Sequence, residues 1–331
     1  MARRRRMPAS LVITVDTEPH DQWAPPVGGR LPPFTFANTR GLDRLKDHLH
    51  GLGVPVTWMT SYGVARDARS AVVLRRAAAE GDEIAGHLRG WETPPFVEMD
   101  QGARPFIYEY PQRTRFEKHQ SLVAAHEDAF GARPVSYRAG RWALDAIELE
   151  HLAVLGDSSI PPGIDFRDRS GLRALGPDFR RHLCAGPAQP YRAGPLWEVP
   201  VSITPAGLFG TGAVGAGVAR LAGGRGPADQ ISRWAYRALD ATGLHRLVWV
   251  RPLKHPRSLL VAAARSLVRQ GARIINVMFH SSEAFVGTSP VSRTEGDVIR
   301  LYDDLTAIVI AVHQAGVVPR TLRDATTLGS T

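Results

Sequence analysis

A single cysteine, Cys184, stands among the 331 residues. That scarcity excludes an intramolecular disulfide framework and any zinc site built on several thiolates. No apolar run approaches the ~18 residues that a membrane span requires. The basic opening, MARRRRMPASLVITVD, contains no apolar segment apart from what reads as a first strand, so no secretory signal is expected. With only one thiol as well, a cytoplasmic protein is predicted. Also missing are a GxGxxG after the first strand and a P-loop anywhere, which removes support from the usual nucleotide-binding forms of an open α/β sheet. Without an internal repeat or a low-complexity linker, the chain is expected to form one domain over 10–331, preceded by a basic disordered tail over 1–9.

The formal charge is +9, and four of those charges are Arg3–Arg6, which leaves +5 for the remainder. The tail reads as a solvated terminus. The competing reading is a contact to nucleic acid or anionic lipid, and no nucleic-acid partner is expected. The remaining arginines are scattered through helices and would favour an anionic substrate, such as a nucleotide-linked or acidic sugar.

Along the chain, apolar β-rich runs alternate with helical periodicity. Ser10–Val15, Val54–Met59, Glu83–Ala85, Val135–Tyr137, Trp197–Ile203, Leu247–Val250 and Ile274–Phe279 read as strands. Leu42, Leu45, Leu49 and Leu52 mark one helix face, closed by Gly53. Further helices are expected around Ala71–Glu80, from Phe116 to Phe130, and over Leu144–Leu155, Ser258–Gln270 and Val298–Val312. Asp21–Asn38 reads as a long loop, and the small-residue stretch from Ala206 to Gly226 fits either a long excursion or helices. Apolar strands alternating with amphipathic helices predict a parallel sheet covered by helices, as an open sheet or a closed barrel.

Titratable residues recur at the carboxyl ends of these strands: Asp16 with Glu18 and His20 beyond it, then His87, Arg138, Arg251 and His280. Active sites of parallel α/β folds are built at that edge, because the strand ends converge there. Any one of these residues has an ordinary structural reading as a turn former or a hydrogen-bonded histidine, but five together mark a site. A carboxylate with His87 could hold a divalent metal that polarises a carbonyl and acidifies a water. A second carboxylate could take the water's proton, and a histidine opposite could protonate a leaving amine. Arg138 would orient the base and keep it ionised.

At these positions the sequence resembles the polysaccharide deacetylase (NodB-homology) family of carbohydrate esterases, over roughly Leu11 to Leu322. Ile13-Thr14-Val15-Asp16-Thr17-Glu18 is similar to the family's first motif, and Gly81-Asp82-Glu83-Ile84-Ala85-Gly86-His87 to the second. Tyr137-Arg138-Ala139-Gly140-Arg141-Trp142 is similar to the third, Glu198-Val199-Pro200-Val201-Ser202 to the groove-wall strand, and Phe279-His280-Ser281-Ser282-Glu283 to the last. The resemblance implies a distorted (β/α)7 barrel, a divalent metal (usually zinc) and removal of an acyl group, acetyl first of all, from an N-acylated sugar or glycan precursor. By the same resemblance Asp16 is the base, Arg138 its orienting partner and His280 the acid. Glu18 and His87 are metal ligands, and Glu198 belongs to the wall of the groove. Arg89, Trp91, Trp142 and Arg251 are candidate substrate contacts, the tryptophans by stacking on sugar rings.

Two departures stand out. The carboxylate after the base is offset by one residue, Thr17 standing between Asp16 and Glu18. The family's second motif supplies two histidines, but four residues beyond His87 stands Trp91, and two beyond, where a related subgroup has its second histidine, stands Arg89, which offers only donors and cannot serve as an ordinary ligand. Three readings follow: a weaker metal site; a guanidinium that replaces the metal's charge and clamps an oxyanion or phosphate; or a catalytically impaired carbohydrate-binding protein that retains the fold.

Overall fold

In the computed structural model of this chain, the residues described are 8–23, 33–100, 104–144, 153–162, 189–193, 196–206, 238, 242 and 246–327. The Arg3–Arg6 tail, Cys184 and the stretch beyond Ala206 to Gly226 lie outside them.

Among the described residues eleven strands form in chain order. They are β1 (Ser10–Thr17), β2 (Val56–Thr60), β3 (Glu83–Leu88), β4 (Ser136–Ala139), β5 (Gly156–Asp157), β6 (Tyr191–Ala193), β7 (Leu196–Glu198), β8 (Ile203–Ala206), β9 (Arg246–Trp249), β10 (Ile274–His280) and β11 (Val318–Pro319). The main sheet runs β10-β1-β2-β3-β4-β5-β7-β6, with β11 on the start of β1. Its pairings are parallel except β6 with β7. Seven strands thus run the same way from β10 to β7, as the resemblance implies. The flanking helices are α1 (Leu42–Gly51), α2 (Tyr62–Arg66), α3 (Ala68–Ala79), α4 (Gln112–Phe130), α5 (Arg257–Arg269), α6 (Glu295–His313) and α7 (Leu322–Thr327).

Strand alternation sorts the residues of β1 onto two faces. Leu11, Ile13 and Val15 pack with Leu42, Leu45 and Leu49 of α1 and with Leu301 and Leu305 of α6. Val12 turns the other way and meets Met59, Ala85, Val199 and Leu322. All eight β1 residues are buried, which is why the strand reads as continuously apolar and not as alternating. On the Val12 side, nearer the carboxyl ends of the strands, the interior becomes polar. Thr14 Oγ1 donates to Asn276 Oδ1 at 3.0 Å, and Asn276 Nδ2 donates to Ser158 Oγ at 2.9 Å. Buried polar groups are tolerable there because they satisfy one another.

The sheet is a half-barrel. No strand pairing joins β7 to β10 among the described residues, and hydrogen bonds cross that gap instead. The Ser202 N–H donates to Asn276 O at 2.8 Å, and the Asn276 N–H to Ser202 Oγ at 2.9 Å. The strand expected over Trp197–Ile203 is broken into β7 and β8, and Pro200 between them has no N–H for a ladder. β9 is found where Leu247–Val250 was expected, but it pairs antiparallel with β8 and lies outside the parallel sheet. The helix expected from Ala71 starts at Ala68, because Asp67 caps it by accepting the Ser70 N–H at 2.9 Å. Leu144 and Ala153–Leu155 are not helical, and 145–152 lie outside the described residues. None of the described helices is long and apolar enough to cross a membrane.

Candidate active site

Asp16, His87, Arg138 and His280 were expected just beyond their strands; the ladders instead run through them. Asp16 lies opposite His280 in the β1–β10 register, and His87 opposite Arg138 in the β3–β4 register. Alternation then explains the offset after Asp16. Residues two apart share a face, so Glu18 follows Asp16 and Arg89 follows His87, whereas Thr17 turns its hydroxyl back to Val15 O at 2.9 Å.

Arg138 is fully buried and organises the floor of the site. Its Nη1 donates to Asp16 Oδ1 at 2.6 Å, Nη2 to Thr14 Oγ1 and Ser158 Oγ, both at 2.8 Å, and Nε to Ser158 O at 2.9 Å. Burial pushes the Asp16 carboxyl up, but the Arg138 guanidinium, helped by His87 and His280, outweighs burial and holds it below the usual carboxylate range.

His87 Nδ1 lies 2.9 Å from Arg138 O. A carbonyl only accepts, so Nδ1 carries a hydrogen and Nε2 faces the site. That Nε2 is buried without a hydrogen-bond partner, 3.4 Å from Glu18 Oε2. Glu18 is held by Arg89, whose Nε and Nη2 donate to its two oxygens at 2.5 and 2.8 Å. Burial again raises the acid, and the Arg89 charge with the neighbouring imidazoles more than offsets it, so Glu18 lies well below its ordinary value.

His280 Nε2 lies 3.9 Å from Asp16 Oδ2 and 3.8 Å from Glu18 Oε1. Its Nδ1 is 3.1 Å from Glu283 Oε1 and 3.1 Å from Arg251 Nη2. Arg251 also donates to Glu283. Against the upward push of burial, Arg251 and His280 hold the Glu283 carboxyl down. Asp16, Glu18, His87, Arg89, Arg138, Arg251 and His280 therefore meet, although Arg251 follows the antiparallel β9.

The remaining expected contacts lie differently. Glu198 on β7 accepts the Ile160 N–H at 3.1 Å and is paired in register with Asp157. Burial together with Asp157 pushes its carboxyl well up. Trp91 is buried with its indole N–H donating to Gln22 Oε1 at 2.6 Å, so it packs the loop and does not present an open ring to a sugar. Trp142 lies against Trp249, ring centroids 5.6 Å apart. His20 is near Thr35, outside the cluster. His48, His50 and His126 are structural: they bond Thr306, Asp82 and the Thr60 carbonyl at 2.9, 2.8 and 3.0 Å.

Residue-by-residue reading missed Glu283, although three residues after His280 is the spacing of a local capping contact. It also missed Glu92. That carboxyl accepts from Ser61 Oγ and the Gly63 N–H, both at 2.7 Å, and from Gln22 Nε2 at 3.2 Å. With no guanidinium bonded to it, burial, aided by the charge of Glu18, pushes it up to about 7.

The zinc implied by the resemblance needs vacant donors. His87 Nε2 is one such atom, but both Glu18 oxygens accept from the Arg89 guanidinium, so a dication on them would lie against that positive charge, and Arg138 holds one oxygen of Asp16. Among the described residues no three His, Cys, Asp or Glu side chains are grouped to hold a metal ion. The donor set does not fit a metal.

Compared with protein-family models and with curated proteins, the chain has no match. Among solved structures it is similar to a protein from Mycobacterium smegmatis assigned to the polysaccharide deacetylases, at 16% identity and a TM-score of 0.47, covering 97% of this chain and 96% of that one. It is similar also to a family 4 carbohydrate esterase from Streptomyces lividans, at 10% identity and a TM-score of 0.41, over 94% and 91% of the two chains. For the Puue allantoinase the values are 14% and 0.47, over 96% and 88%. Structures of polysaccharide deacetylases are among those that this chain is similar to. Its own strand pairings, an α/β half-barrel with flanking helices, agree with the fold that the five motifs imply.

Proposed function

We propose that this protein is a hydrolase that removes an acyl group, acetyl in the first instance, from an N-acylated sugar or glycan precursor in the cytoplasm. One observation carries the reading. Asp16, kept ionised by Arg138, stands 3.9 Å from the His280 imidazole on the adjacent strand. That separation is too long for a direct hydrogen bond, and it sets a proton acceptor beside a proton donor.

In this reading Asp16 Oδ2 takes a proton from the water that adds to the amide carbonyl. Arg138 keeps Oδ1 engaged, so the acceptor oxygen is defined. His280, its Nδ1 turned to Glu283, gives the Nε2 proton to the departing amine as the carbon–nitrogen bond breaks. Glu283 orients the ring and stabilises its charged form, and Arg251 holds Glu283 in turn. The arginines also suit an anionic sugar precursor.

The test is acetate release from N-acetylated sugars, glycan oligomers and nucleotide-linked sugars by the purified full chain. His280→Ala is expected to lower kcat by at least ~10²-fold, as loss of a general acid does. Unchanged turnover in that variant removes His280 from the mechanism. Glycan binding without any acetate release favours the carbohydrate-binding reading instead.

A further inference from the structure

Arg89 stands two residues beyond His87, on the same face, and its guanidinium lies flat against Glu18 in a two-point contact. Planar guanidinium and carboxylate match each other in this arrangement, which adds geometry to charge. Both side chains are buried, so the pair is a fixed part of the interior and not a surface contact.

The seat of Arg89 is built by its neighbours. Gly140 lies against the arginine stem, where a Cβ would come within 2.7 Å of Arg89 Cδ and 2.3 Å of the Leu88 carbonyl oxygen. Only a residue without a side chain leaves that room. The Trp91 ring lies 5.4 Å from the guanidinium, close enough for a cation–π contact.

Charge points the same way. The two acids of the seat, Asp16 and Glu18, are matched one for one by Arg138 and Arg89. No net negative charge is left there to hold a dication, and a dication on Glu18 would lie beside a buried like charge. His87 Nε2 also faces the seat, 3.4 Å from Glu18 Oε2 and without a short hydrogen bond.

We infer that the Arg89 guanidinium occupies the metal's place in this chain and that the site works without a metal. The positive charge facing the acyl carbonyl is Arg89, and His87 Nε2, an acceptor because Nδ1 carries the hydrogen, takes a hydrogen bond from a donor group of the substrate. The catalytic half of this inference rests on the hydrolase reading above; the metal-binding half does not.

The full chain is titrated with zinc by calorimetry, and its metal content after purification is measured. The wild type is expected to show no stoichiometric binding at ~10 µM zinc. Arg89→His removes the guanidinium, releases Glu18 and sets a second imidazole near His87. It should bind one zinc at least ~10²-fold more tightly than the wild type, because a buried like charge is gone. Arg89→Gln, close in shape and uncharged, gives a smaller gain and serves if the histidine variant does not fold. One zinc bound tightly by the wild type and lost in Glu18→Gln or His87→Ala overturns the inference, and so does the absence of any gain in both Arg89 variants. In the activity arm, acetate release that survives exhaustive chelation agrees with it, and release that zinc must restore overturns it. Failure to release acetate from any substrate counts against the hydrolase reading alone, since the zinc titration decides the metal-binding half by itself.

Discussion

Two groups of buried carboxyls in this molecule behave in opposite ways. Asp16, Glu18 and Glu283 each touch a guanidinium, from Arg138, Arg89 and Arg251, and all three lie below their ordinary range. Glu92, Asp157 and Glu198 bond hydroxyls, backbone N–H groups, the Gln22 amide or, for the last two, each other, and they lie above it. Burial acts on every one of them, and by itself it favours the neutral acid. A guanidinium in contact reverses the outcome. The ionised set surrounds His280 and the proposed chemistry, and the set with raised values lies next to it.

Breaking a pair in the first group should have the largest effect. Arg138→Ala leaves Asp16 buried and unmatched and removes four hydrogen bonds. A loss of ~3–5 kcal/mol is expected, read as a fall in the denaturant midpoint. A change under ~1 kcal/mol would mean that Asp16 becomes neutral without cost.

The second group can be read through pH. Unfolded Glu92 ionises near 4.5, whereas the folded form keeps its proton to about 7. Stability from this group is therefore complete below about pH 4.5 and falls away as pH rises to about 7. The size is of order 3 kcal/mol. Glu92→Gln should remove that fall from the stability–pH curve; an unaltered curve would show that Glu92 is ionised at neutral pH.

A subtler test sharpens the comparison on the paired side. Glu283→Gln keeps the shape but not the charge that holds the His280 ring. Turnover should drop by roughly 10-fold to 10²-fold, part of what the acid itself contributes, with little change in KM. A change in KM alone would assign Glu283 to binding. The smallest effect is expected at an exposed pair, Arg66 with Asp128 at 3.1 Å. Arg66→Ala should cost under ~1 kcal/mol in the same denaturation experiment, because water screens both charges.

Much of this was legible before any coordinates. Leu42, Leu45 and Leu49 announce α1 by spacing, and IINVMF announces β10 by its unbroken apolarity. Asp16, His87, Arg138 and His280 stood out because charged residues closing apolar strands need a reason to be there. What misled was length: β1, β3, β4 and β10 run on through polar residues, whose inward partners lie far away in sequence. The break at Pro200 and the antiparallel β8–β9 pair were likewise hidden, since a short apolar run carries no sign of its direction. Glu92 gave no signal, because its raised pKa comes from burial and the charge of Glu18, against the lowering contacts of Ser61 and Gly63, all contributed by other segments.

The chain by itself determined the alternation of strands and helices and the placing of titratable residues at strand ends, both of which follow from local periodicity and residue chemistry. Only the tertiary structure decided which charge meets which. Arg89 lies on Glu18 because Gly140 of another strand's loop leaves it room and because two strands present the same face to one interior. Contacts between residues 71 positions apart are set by packing, and no local pattern encodes them.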